Sequence, residues 1–174
     1  MVRGQVTLAI EHNFETAHRL PFLGGKCENL HGHSWKVKVH LQRTTVVGGM
    51  DADGISMEYG SVKKVVRQWI DMYLDHGAML GHQDVLLDAL LADNSKVFVF
   101  GPPGEVADVP PDMRYRDKPW PTVEAVAEMI CMKLQEQFDD SIFIVATEVR
   151  ETGTNWVTFT QASPYNKDAE ATNG

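Results

Sequence analysis

His31-Gly32-His33-Ser34-Trp35-Lys36-Val37-Lys38-Val39-His40-Leu41-Gln42 is the stretch that decides the fold. Trp35, Val37, Val39 and Leu41 alternate with Ser34, Lys36, Lys38, His40 and Gln42, the period of two that marks a half-buried strand. Residues i and i+2 of a strand share a face, so His31 and His33 project to the side that carries the apolar set. Upstream, Val6, Leu8 and Ile10 alternate with Thr7, Ala9 and Glu11, and the same parity carries Phe14, Thr16 and His18 inward. A Gly-containing loop, Pro21 to Leu30, joins the two strands. If they pair antiparallel, His18 approaches His31 and His33 from the neighbouring strand, and three imidazoles converge.

Further along, residues 43–56 hold Gly48, Gly49, Asp51, Asp53 and Gly54, a turn-rich connection. The spacing of Val62, Val65, Val66, Trp69, Ile70 and Tyr73 predicts an amphipathic helix. A second follows Pro121-Thr122, with Val123, Val126, Ile130, Leu134 and Phe138 on one stripe and Thr122 as N-cap. Ile142 to Glu151 and Asn155 to Thr160 read as a hairpin. Between the helices, Val85 to Leu91 suggests a short helix and Val97 to Phe100 a short strand. Residues 101–121 hold six of the eight prolines, which predicts a long irregular loop serving as a lid, an interface arm or a partly disordered link.

A length of 174 residues suits one domain, and 43% apolar with 23% charged residues suits a packed core. The formal charge of -8, from 16 Lys+Arg against 24 Asp+Glu, argues against a broad grip on nucleic acid or anionic membrane. No run of 18 apolar residues marks a transmembrane helix, and no signal-peptide pattern opens the chain, because the run from Val6 stops at Glu11. With two cysteines far apart, the expected compartment is cytoplasmic. No glycine-rich dinucleotide fingerprint follows a strand.

Three neutral imidazoles suit zinc with an open fourth position; the alternative is a set of hydrogen-bonded core histidines. Cys27, four residues before His31 in the loop, is either a fourth ligand or a thiolate made reactive by the metal. Cys131, beside Ile130, reads as a core residue. Glu151 shares the parity of Thr147 and Val149 and is expected to face inward, unless it merely ends a solvated strand. Asp75-His76 can be a polar helix terminus, and Glu124 a favourable acid in a first helical turn. His12, His40 and His82 read as surface or packing residues.

Phe14-Glu15-Thr16-Ala17-His18-Arg19-Leu20 and Cys27-Glu28-Asn29-Leu30-His31-Gly32-His33 together resemble the 6-pyruvoyltetrahydropterin synthase and 6-carboxytetrahydropterin synthase family. Gly54-Ile55-Ser56-Met57-Glu58-Tyr59, Leu74-Asp75-His76, Pro121-Thr122-Val123-Glu124 and Val149-Arg150-Glu151-Thr152 follow in the family's order. The short gap between Cys27 and His31 resembles the bacterial carboxytetrahydropterin branch. The resemblance implies an α+β tunnelling fold, an antiparallel four-stranded sheet with two helices on one face. Such subunits assemble into a barrel, as homohexamers of paired trimers with sites at subunit boundaries. Residues 1–161 would then form a single domain with an inserted segment of about 77–120, and 162–174 a polar tail. Zinc would be held by His18, His31 and His33. Cys27 would be the general base, with Asp75 and His76 completing the proton-transfer group. Glu151 would anchor the pterin, with Thr122 and Glu124 in its pocket. Arg19 and Lys26, close in sequence to the motif histidines, are candidates to meet the substrate's phosphates.

The implied reaction converts 7,8-dihydroneopterin triphosphate to 6-carboxy-5,6,7,8-tetrahydropterin, acetaldehyde and triphosphate, toward queuosine-type nucleosides. Rival readings are a 6-pyruvoyltetrahydropterin synthase, which only eliminates triphosphate, and a non-catalytic zinc-binding assembly protein with Cys27 as fourth ligand. A generic zinc hydrolase is a weaker third reading, since no Glu follows the histidine pair in helical spacing. The chain departs from the family in the long link between His76 and Pro121, in lacking an Asn soon after Leu74, and in having Glu58 where Asp is usual.

Overall fold

The computed structural model describes residues 5–102 and 109–162; the polar tail beyond 162 and residues 103–108 of the Pro-rich stretch lie outside it. β1 (Leu8–His18) and β2 (His31–Arg43) pair antiparallel along their length, Phe14 opposite Trp35 and His18 opposite His31. α1 (Tyr59–Tyr73) starts at Glu58, whose carboxylate accepts from the Gly60 and Ser61 amides. These bonds satisfy amides that a helix start leaves unpaired; the Ser61 hydroxyl first, then the two amides, hold the Glu58 carboxyl below its usual pKa. β3 (Gly77–Gly81), α2 (Leu87–Ala92), β4 (Val97–Phe100) and β5 (Arg114–Tyr115) follow. Then come α3 (Val123–Gln135), β6 (Ile142–Arg150) and β7 (Trp156–Thr160).

The strands form one seven-stranded sheet in the order β5-β4-β3-β1-β2-β6-β7. β1, β2, β6 and β7 are the expected antiparallel four, and α1 and α3 pack on their apolar face. Leu8, Ile10, Phe14, Trp35, Val37 and Val39 join Val66, Ile70, Val126 and Ile130 in one core.

The expectation of a four-stranded sheet is corrected by residues 77–115, which add β3, β4 and β5 in parallel at the β1 side. Residues 101–121 are likewise not wholly irregular, since they contain a short 3-10 turn at Pro111–Met113 and β5. The added strands lack alternation because both faces are covered. Phe98 and Phe100 of β4 enter the main core, whereas Val97 and Val99 join Leu80, Leu87 of α2 and Val109 in a second cluster. Strands buried on both sides read as short apolar runs, as expected of parallel pairing. Among the described residues, no helix is long and apolar enough to cross a membrane.

Candidate metal centre

The β1–β2 register sets His18 opposite His31 and Thr16 opposite His33, so the three rings meet at one end of the pair. Ring centroids lie 4.7 Å apart for His18–His31, 5.2 Å for His18–His33 and 4.9 Å for His31–His33. One ligating nitrogen from each lies within 4.8 Å of the others. Beneath them is Trp35, fully buried, its ring edge-on to His18 and His33 and its Nε1 donating to the Thr16 carbonyl at 2.9 Å.

Two of the rings are oriented by backbone. His18 Nδ1 lies 2.9 Å from the Pro121 carbonyl oxygen, and His31 Nδ1 lies 2.8 Å from that of Asn29. A carbonyl can only accept, so each Nδ1 carries hydrogen and each Nε2 is left to offer a lone pair. His18 Nε2 is buried and makes no hydrogen bond of proper geometry, a costly state unless something electron-deficient faces it. The His33 imidazole is held below its usual pKa, by burial above all; Glu151 pulls the other way, and His18 and His31 push it further down. Neutral imidazole is the ligating form, so the donor set fits a dication of the zinc type.

Glu151 reaches this cluster through a bulge. β6 pairs with Val149 opposite Val37, but Leu41 faces Ile144 while His40 faces Ala146, leaving Val145 extra. The added residue reverses the parity set by Ile142 and Ile144, so Thr147, Val149 and Glu151 share the helix-facing side. Glu148 on the other face contacts His40 at 2.5 Å. Glu151 Oε1 lies 3.2 Å from His18 Nε2 and 3.8 Å from His33 Nε2.

Cys27 is exposed in a 3-10 turn, Gly25–Glu28, outside the set of converging nitrogens. Gly24 and Gly25, at φ 69° and 66°, make the reversal that an L side chain would resist. The Cys27 carbonyl accepts from the Leu20 amide at 2.7 Å, tying the loop back to the end of β1. Cys131 is buried, its thiol pushed up to about 12 by burial first and Glu128 second, as a core residue should be.

Asp75 and His76 form a dyad with Oδ2 and Nδ1 2.7 Å apart. The Glu15 backbone clamps it: the Glu15 amide donates to Asp75 Oδ1 at 2.8 Å, and the His76 amide donates to the Glu15 carbonyl at 2.7 Å. The His76 side chain is 79% exposed, and the dyad's described contacts do not reach the three histidines. Thr122 Oγ1 accepts from the Ala125 amide and caps α3. Thr122 and Glu124 line a recess of about 410 Å³ with Phe22, Lys118, Trp120 and Glu128. Arg19 turns to the inserted segment, its Nε 3.3 Å from Oδ2 of the buried Asp84, so this charge is already matched. Lys26 stands exposed in the Cys27 turn. The carbonyls of Asn29 and Pro121 and the Glu15 clamp had no signature in the sequence because backbone groups leave none, and the Asp84 partner of Arg19 had none because the two meet only in the fold.

An α+β sheet carrying a histidine cluster able to hold a metal ion defines the class. The sequence profile described as 6-pyruvoyl tetrahydropterin synthase matches residues 7–162, and the chain belongs to that family. A 6-carboxy-5,6,7,8-tetrahydropterin synthase of Rickettsia typhi is 32% identical over 72 residues, 41% of this chain and 49% of that protein. A probable 6-carboxy-5,6,7,8-tetrahydropterin synthase of Halobacterium salinarum is 27% identical over 137 residues, 78% of this chain and 73% of that protein. The matched segments thus span about half the length of the first of these relatives. Among solved structures, 6-pyruvoyl tetrahydropterin synthase of Caenorhabditis elegans aligns with a TM-score of 0.59 at 21% identity, over 93% of this chain and 100% of that one. An uncharacterized protein of Wolinella succinogenes aligns at 0.63 and 22%, over 90% and 98%. At such identities these structures bear on the fold.

Proposed function

We propose that the protein is a zinc-dependent 6-carboxy-5,6,7,8-tetrahydropterin synthase acting on 7,8-dihydroneopterin triphosphate. The observation that carries this reading is the pair of Nδ1–carbonyl bonds that leave His18 and His31 presenting Nε2 lone pairs toward His33. His18, His31 and His33 would hold the zinc, which supplies Lewis acidity at the substrate's side-chain oxygens. Cys27, on its tethered turn, would take a proton from the side-chain carbon next to the ring. His76 would move protons on the other face, its tautomer set by Asp75. Since the His76 side chain is largely exposed to solvent, it would serve the site of a neighbouring subunit, in keeping with the family's boundary sites and a homohexameric assembly.

Glu151 would accept from the two adjacent N–H groups of the pterin edge, with Thr122 and Glu124 at the recess wall. With Arg19 matched by Asp84, the phosphates fall to Lys26 and to cations of neighbouring subunits. The names of the curated relatives and the short Cys27–His31 spacing favour the carboxytetrahydropterin product over the pyruvoyl one. The test is incubation of zinc-loaded protein with dihydroneopterin triphosphate, read by mass spectrometry of the pterin and by acetaldehyde release. Intact, metallated protein that yields neither would refute the proposal. Cys27→Ala is expected to keep its zinc and lose turnover; loss of zinc instead would favour a structural role for the metal.

A further inference from the structure

In the proposed function Glu151 acts only once substrate is bound, yet its carboxylate already lies against the histidines. Because His18 Nδ1 gives its hydrogen to Pro121, Nε2 faces Glu151 Oε1 as one acceptor facing another, 3.2 Å apart. Two lone-pair bearers at that separation repel unless a cation lies between them, and Nε2 makes no hydrogen bond of the geometry that a shared proton would need. His33 Nε2, at 3.8 Å, is turned to the same oxygen. Donor atoms around a tetrahedral zinc, with bonds of about 2.0–2.2 Å, sit roughly 3.4 Å from one another. Both separations lie near that value. We infer that in the substrate-free protein Glu151 is the fourth ligand of the His18–His31–His33 centre and yields that corner when substrate arrives.

The local chain suits such an exchange. Glu151 lies one residue beyond β6, and Arg150 on the opposite face donates to the carbonyls of Thr152 and Gly153. The turn is therefore pinned by Arg150 and not by the Glu151 side chain, whose described contacts are those with His18 and His33. As the carboxylate leaves, a substrate oxygen takes its place, so the coordination number is kept and one carboxylate is released beside the pterin edge it is proposed to accept from. Cys27, the fourth donor suggested by sequence, is exposed and leaves that corner to Glu151.

The inference rests on the metal part of the proposed function, and its test separates the two. Wild type, Glu151→Gln and Glu151→Ala are loaded with cobalt(II), and the visible spectrum is followed while imidazole is added. Imidazole is neutral, so loss of the carboxylate charge does not by itself raise its affinity. Both variants are expected to bind imidazole at least about tenfold more tightly than wild type and to hold cobalt about 10–100-fold less tightly. Equal imidazole affinities and equal spectra in metallated wild type and variants overturn the inference while leaving the enzyme reading intact. Wild type that takes up no cobalt overturns both.

Discussion

At the scale of single residues, Asp75 carries the clearest linkage between charge and stability. Burial alone would raise its carboxyl pKa, but the Glu15 amide, His76 and Lys96 outweigh this and hold it below the ordinary value. A depressed carboxylate stabilises the fold above its unfolded pKa of about 3.9 and loses that contribution as the pH falls through the folded value. Asp75→Asn should therefore cost about 1–2 kcal/mol near neutrality. Urea titrations across pH should show the gap to wild type closing below about pH 4. Turnover should fall further, about 100-fold, because an Asn amide turned to Nδ1 reverses the His76 tautomer. A variant as active as wild type would remove the dyad from the chemistry.

At the scale of elements, the start of α3 is joined to the candidate metal centre by packing from β3. Gly81 ends β3 where a Cβ would lie 2.4 Å from the Trp120 ring and 2.6 Å from the Pro119 carbonyl. Trp120 and Pro119 can approach this closely only over a residue without a side chain. The next residue is Pro121, whose carbonyl orients His18. Gly81→Ala should lower stability by about 1–3 kcal/mol through overpacking. It should also weaken zinc binding, measured by competition with a chromogenic chelator, although no ligand is altered. Unchanged zinc affinity in a destabilised variant would mean that β3 does not position His18.

At the scale of the whole molecule, the segment carrying β3, β4 and β5 is part of the sheet rather than an appendage. Its β4 enters the main core, and its Asp84 meets Arg19, the residue next to a metal-binding candidate. Asp84→Ala leaves a mostly buried guanidinium unpaired and should cost about 3 kcal/mol. Near- and far-ultraviolet dichroism should lose signal in one coincident transition, since insert and sheet share a core. Two separate transitions would mark the insert as an independent unit.

The alternation of β1 and β2, the helical stripes and the spacing of His18, His31 and His33 were legible because each follows from local periodicity, which any chain with one buried face must display. Glu151 was placed correctly from Thr147 and Val149, although the bulge at Val145 that makes this parity hold had no sign in the sequence. The three added strands were hidden because burial on both faces erases alternation. The tautomers of His18 and His31 and the pairing of Arg19 with Asp84 were settled only when distant backbone carbonyls and side chains met in the folded chain. Such contacts depend on tertiary approach, and a linear order of residues does not encode distance.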